Sequence, residues 1–229
     1  MRLSAPDRRK KLLTAALELF SRQGYRGTTT REIARRAGVS EALLFRHFPS
    51  KEDLYWSVLD EQCAMRTGRQ KLDALFRADQ DDAPTFAAIA EDILTRNFSD
   101  SRLYRLLLFS ALEDHELSHR FFRRYIWDYY TGVAEHIRRR IAAGAFRDAD
   151  PMLAARCFIG MVLHYFLVEE LFRGRRPSAS EIKRLSQAIT ATWLAGMVPS
   201  PAVLDNKLPV QPSNWQPGPD PLKAEMTAR

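Results

Sequence analysis

Apolar residues recur along the chain at spacings of three and four, and no useful run of alternating β-branched residues interrupts them. This pattern predicts helices throughout. Leu13, Ala16, Leu17 and Phe20 form one face of a first helix, which Gly24 closes. Thr29 with Glu32 makes a capping box ahead of Ile33, Ala34 and Ala37, a short second helix running to Gly38. Ser40 caps a third helix that stops at Phe48-Pro49, and Ser50 with Asp53 starts a fourth carrying Leu54, Val58 and Leu59. Beyond about residue 75 the periodic stretches lengthen. Pro84 suits the first turn of a helix reaching Phe98, and residues 102–112 make a short apolar helix. A pattern from His115 to Ala143 ends at Gly144, one from Pro151 to Phe172 ends at Gly174, and the last spans Ser180 to Met197. Seven of the 12 prolines fall within 199–229, so residues 198–229 are expected to form an irregular tail.

Charge divides this helical chain. Residues 1–51 carry 12 Lys and Arg against 4 Asp and Glu, a net of +8, whereas the remainder carries 23 against 24. All the excess positive charge of a 229-residue chain thus sits in its first fifth, the mark of a polyanion-binding module joined to a body of another kind. The expected division is a polyanion-binding module at 1–51, a helical body at 52–197 reached through the fourth helix, and the tail.

The amino-terminal module has a recognisable layout. Two short helices separated by Gly38-Val39-Ser40 match a helix-turn-helix, whose tight turn glycine permits. On the third helix Leu44 and Phe48 share the face that packs on Ile33, which turns Ala42 and Arg46 outward between Leu43 and Phe45. A small residue followed four later by arginine suits the major groove, where arginine bonds a guanine edge and alanine lets the helix come close. Thr28, Thr29, His47 and Lys51 surround it with groups suited to phosphates.

The stretch GYRGTTTREIARRAGVSEALLFRHFPSKEDLYWSVL resembles the DNA-binding domain of TetR-family transcriptional regulators. Residues 8–60 follow that family's order of features; the rest resembles it in its all-helical plan and in its last two long helices. The resemblance implies that Arg31, Glu41, Ala42, Phe45 and Arg46 approach bases or the groove, while Thr29, His47 and Lys51 grip the backbone, with Ser40 at the start of the same helix. Two positions depart from the family pattern. Leu43 stands where a hydroxyl is frequent and would touch a thymine methyl instead, and Phe45 replaces the usual tyrosine. The partner expected is a double-stranded operator, bound as a homodimer, with repression the expected output and activation the alternative.

In the body, Phe158, Val162 and Phe166 on one long helix, and Ile182, Leu185, Ile189 and Trp193 on the next, exceed what a monomer leaves facing water. They are therefore expected at a dimer interface, which the resemblance makes a four-helix arrangement. The middle helices are rich in aromatics with polar tips. Tyr104, Phe109, Tyr125, Tyr129 and Tyr165, with His164 as a polar handle, are the expected lining of a site for a small apolar or aromatic effector.

One motif points elsewhere. His115-Glu116-Leu117-Ser118-His119 fits H-E-x-x-H, the helical zinc-ligand pair of a hydrolase with glutamate as general base. Its flanks, Asp114 and Arg120, are charged, it lies at a helix start, and no third ligand stands out. Neither a phosphate-binding glycine loop, a nucleophile elbow nor paired cysteines are present; Cys63 and Cys157 lie far apart. The expectation is a cytoplasmic, non-enzymatic protein with no cofactor, no bound metal and no membrane partner. The longest apolar run, Phe158 to Val168, falls short of a membrane span and contains His164.

Overall fold

A computed structural model describes residues 4–64, 68–77, 81–113 and 116–199. The elements are α1 (Ala5–Gln23), α2 (Thr30–Ala37), α3 (Glu41–His47), α4 (Lys51–Ala64), α5 (Gly68–Arg77), α6 (Asp82–Ser99) and α7 (Arg102–Leu112), then α8 (Glu116–Phe121), α9 (Trp127–Ala142), α10 (Pro151–Leu167) and α11 (Ala179–Met197). Two π-helical segments interrupt the long patterns: Phe122–Ile126 joins α8 to α9, and Val168–Arg173 extends α10. Among the described residues there is no strand. The tail beyond Pro199 lies outside the described residues.

Local chemistry sets the helix ends where the pattern puts them. Thr29 and Glu32 form the reciprocal capping box of α2, and Gly38 closes that helix in the left-handed conformation at φ 70°. The Asp150 carboxylate accepts the amides of Met152 and Leu153 at the head of α10, and Gly174 ends its π extension at φ 59°. Ser178 and Glu181 make a second capping box on α11.

Packing divides the chain into two compact units, and not at residue 51. The first comprises α1–α4 together with α7 and α8; the second comprises α5, α6 and α9–α11. The compact unit that holds the basic module is thus larger than the 1–51 that charge marks off, because α7 packs against α1.

In the second unit α6 packs along α11 and α10 packs along α9. Trp193 lies between Phe86, Phe158 and Phe146, at centroid distances of 4.5, 5.2 and 5.8 Å, and its indole N–H donates to the Ala154 carbonyl at 3.2 Å. Arg140 bonds Asp82 at 2.7 Å, tying α9 to α6. This core corrects the expected interface. Phe158, Val162 and Phe166 have no exposed surface, Ile182, Ile189 and Trp193 are buried, and Leu185 is half-buried. The two stripes face inward because α6 supplies the partner that the sequence pattern left unassigned.

What α10 and α11 leave exposed is the opposite pair of faces. On α10 these are Leu153, Arg156, Cys157, Gly160 and His164; on α11 they include Lys183, Arg184, Gln187, Ala188, Ala191, Thr192, Ala195 and Gly196. A side chain added at Gly160 or Gly196 would meet nothing within 4 Å. With its π extension, α10 runs from Pro151 to Arg173 and is long and apolar enough to cross a membrane by length and composition, which corrects the reading of its apolar run as too short. Its inner face is spent on the core just described.

Candidate nucleic-acid interface

The first unit is built around α1. Leu12, Leu13, Ala16, Leu17 and Phe20 are buried beneath α2, α4 and α7, and Ile33 and Leu44 have no exposed surface. Arg36 forms a two-point ion pair with Glu18, including a 2.7 Å bond from Nε to Oε2, and so fixes α2 to α1. These contacts supply the rigid base on which α3 is displayed.

The turn between α2 and α3 follows the expected chemistry. The amides of Gly38 and Val39 bond back to Arg35 and Ala34, and the Ser40 hydroxyl accepts the Leu43 amide at 3.2 Å. Leu44 and Phe48 point inward, with Phe48 also covered by the Arg9 guanidinium 5.0 Å from its ring centroid. The other face carries Ala42, Phe45 and Arg46, all exposed, with Leu43 and His47 half-buried at its sides and Arg31 exposed on α2. Phe45 is 43% exposed, which a large aromatic on a packed domain adopts only at a cost in hydration. A small residue, an aromatic and an arginine on one solvent-facing side of a seven-residue helix match what major-groove reading needs.

Three members of the expected set play different parts. Thr28 is fully buried and its hydroxyl donates to the Gly24 carbonyl at 2.7 Å, so it stabilises the turn before α2 and does not face phosphate. Thr29 is exposed, but its hydroxyl is engaged with Glu32, whose carboxyl the Thr29 amide and hydroxyl hold below the usual range. Glu41 accepts a 2.5 Å bond from the Thr30 hydroxyl, which links the first turns of α2 and α3 and fixes one carboxylate oxygen. Thr30 was not legible as a functional position, because nothing local ties a threonine to a glutamate eleven residues on.

Lys51 lies with its ammonium 4.2 Å from the Tyr25 ring centroid. Partial burial pulls its pKa below the ordinary value, against the opposite pull of Glu113 and Glu32. Tyr25 in turn meets Phe20 and Tyr55, and burial pushes the Tyr55 phenol up to about 12.

The residues expected to line an effector site are divided between the two compact units. Tyr104 and Phe109 belong to the first unit, with Phe109 packed against Gly24. Tyr129, His164 and Tyr165 belong to the second. Tyr129 is raised by burial, with Arg96 and Asp92 close by. His164 is exposed on α10, which removes it as an interior polar handle. The side chain of Tyr125 lies outside the described residues.

In the zinc motif, His115 and the Glu116 side chain lie outside the described residues, and His119 is exposed on α8. Among the described residues no group of three or more His, Cys, Asp or Glu is placed to hold a metal.

Comparison with known proteins bears on both the amino-terminal helices and the helical body. Residues 12–58 match the model of the bacterial regulatory proteins of the tetR family, and residues 85–196 match that of the AefR-like transcriptional repressor C-terminal domain. The transcriptional regulator YvkB of Bacillus subtilis is 46% identical over 57 residues, covering 25% of this chain and 30% of that protein. The transcriptional activator FasR of Mycolicibacterium smegmatis is 38% identical over 108 residues, 46% of this chain and 48% of its own. The alignments thus span less than half the length of either relative. The FadR regulator of Bacillus subtilis, solved in complex with stearoyl-CoA, shares the fold with a TM-score of 0.67 at 15% identity, covering 82% of this chain and 98% of that one.

Proposed function

Since the chain belongs to the TetR family of transcriptional regulators, we propose that it binds a palindromic operator as a homodimer and releases it when a small apolar or aromatic molecule binds the helical body. The observation that carries this reading is the exposed Ala42–Phe45–Arg46 face on a helix whose other side is locked into a core. Arg46 reads a guanine edge, Ala42 and Phe45 make the close apolar approach, and Leu43 lies where a thymine methyl would be met. Arg31 approaches the groove from α2, His47 and Lys51 contribute backbone contacts, and the resulting affinity falls with added salt as counterions are released.

A second copy is needed because one helix-turn-helix reads too few base pairs. The dimer surface we assign is the exposed stripe of α10 and α11, centred on Gly160, Ala188, Ala191 and Ala195. Small side chains allow two helix pairs to approach closely around a two-fold axis, and the apolar length of α10 fits a helix covered on both sides. The effector belongs with the second unit, whose interior is aromatic and apolar. The stearoyl-CoA complex of FadR supports an acyl or similarly apolar ligand class. Such a ligand shifts operator affinity only by binding the two states of the dimer unequally. We adopt repression, since a dimer lying over a promoter excludes polymerase; the activator FasR represents the other output of the same chemistry. As a bacterial-type regulator that meets its operator inside the cell, the protein is assigned to the cytoplasm.

Two substitutions test the interface. Arg46→Ala is expected to cost about 1–3 kcal/mol on the preferred duplex and to relax discrimination at one base pair, measured by titration against single-base variants. Unchanged base preference would remove Arg46 from the reading set. Lys51→Ala is expected to weaken all duplexes about equally and to lower the salt slope by roughly one contact. A sequence-dependent loss would show that Lys51 reads bases.

A further inference from the structure

The turn that joins α1 to α2 is completed by a residue far away in sequence. At its start Gly24 is buried with φ 75°, and its amide bonds the Phe20 carbonyl. The Arg26 amide points out of the turn and donates to both carboxylate oxygens of Glu113, at 3.3 and 3.2 Å. Glu113 ends α7, 87 residues further along the chain. Its Oε1 would lie 2.0 Å from a Cβ at position 24, so the carboxylate occupies the space that any side chain there would fill. Without it the Arg26 amide would have to find another acceptor.

Glu113 is the last of a series of ties from one helix. Arg105 donates from Nε to the Ser21 carbonyl at 3.2 Å, holding the end of α1. Phe109 lies 3.2 Å from the space beside Gly24. Four and eight residues along from Arg105, these positions share one face of α7. That face is laid along the end of α1 and the turn, and the turn leads directly into the capping box that starts α2. Glu113 also sits close enough to Lys51 to favour its charged form. All of these residues belong to the same compact unit.

We propose that Glu113 is a positioning residue for DNA recognition: its carboxylate latches the Gly24–Thr29 turn through the Arg26 amide and thereby holds α2, and the recognition helix tied to it, in the pose that reads sequence. The proposal rests on the DNA-binding reading above. It makes α7 part of the recognition apparatus, although the residues matching the family's DNA-binding model end at 58.

The latch and a plain charge effect rank two conservative variants in opposite order. Glu113→Gln keeps the length and an oxygen that accepts the Arg26 amide but loses the negative charge. Glu113→Asp keeps the charge but draws the carboxylate back by one methylene. In the full-length protein, affinity for the selected duplex and for a scrambled duplex is measured at several salt concentrations, with thermal unfolding as the control for folding. The expected result is that Gln retains the ratio of specific to scrambled affinity within about twofold, while Asp lowers that ratio by about tenfold. Amide exchange at Arg26 should quicken in the Asp variant alone.

A charge effect predicts that Asp behaves as the wild type while Gln binds both duplexes more tightly, because an anion beside Lys51 has gone; that result overturns the latch. Two unchanged variants overturn it as well and leave the DNA-binding reading standing. A wild-type protein that fails to distinguish the duplexes brings down the reading, and the latch with it.

Discussion

Trp193→Ala is expected to destabilise the subunit by about 3–5 kcal/mol, without converting a dimer into monomers under native conditions. The indole is 7% exposed, stands among Phe86, Phe146 and Phe158, and donates to the Ala154 carbonyl. Truncation removes a large apolar surface from the junction of α6, α10 and α11 and leaves a cavity that three rings cannot close. Denaturant unfolding followed by circular dichroism measures the loss, and sedimentation at the same concentration measures the assembly. A loss under 1 kcal/mol accompanied by monomers would return Trp193 to the interface that its place in the sequence pattern suggests.

Ala191→Arg is expected to do the reverse. Ala191 is exposed at the middle of the small-residue stripe of α11, one turn from Ala188 and Ala195. In a two-fold interface every substitution appears twice, so this one adds two bulky cations to a surface of small side chains. Like charges brought together in an interface cost several kcal/mol, which weakens the dimer by roughly a hundredfold or more. Unfolding of the subunit should change little, because the side chain points away from its core. Affinity for the inverted repeat should fall to that of a single half-site. A dimer that persists through this change uses another surface.

These two substitutions also mark where sequence reading succeeds and where it stops. The ends of α1, α2 and α3 are legible because their signals are local: Gly24, the Thr29–Glu32 pair, Gly38 and Ser40 lie within a few residues of the boundaries they set. The outward face of α3 follows from the same local geometry, since Leu44 and Phe48 fix which side is inside. The apolar stripes of α10 and α11 are equally visible, but a stripe states only that it is covered, not by what. Once α6 takes the place beside α11, the surface left for a second copy is centred on glycine and alanine with arginine, histidine and glutamine among them, which carries little hydrophobic signal. The same limit hides Thr30 and Glu113. Each acts through a tertiary bond, across eleven residues to Glu41 and across 87 to Arg26, and no spacing rule connects such pairs. The π-helical segments at 122–126 and 168–173 are invisible for a related reason, because one extra residue in a helical turn barely disturbs the apolar period on either side.

The basic module gains a physical meaning from the structure. Its charge is partly built into the fold: Arg36 is spent on Glu18 and Arg9 covers Phe48, while Arg31 and Arg46 are exposed on α2 and α3 and Lys51 is half-buried at the start of α4. A few placed cations on a rigid three-helix base make a reader of sequence, whereas the same charge on an unstructured arm would give only salt-sensitive attraction to any polyanion.

The most direct test of this account is selection of bound duplexes from a random DNA pool by the full-length protein at moderate salt. The account predicts enrichment of an inverted repeat whose half-sites lie about one helical turn apart, ~34 Å between centres, or a multiple of that distance. Recovery of no motif, with all binding lost as salt is raised, would contradict it.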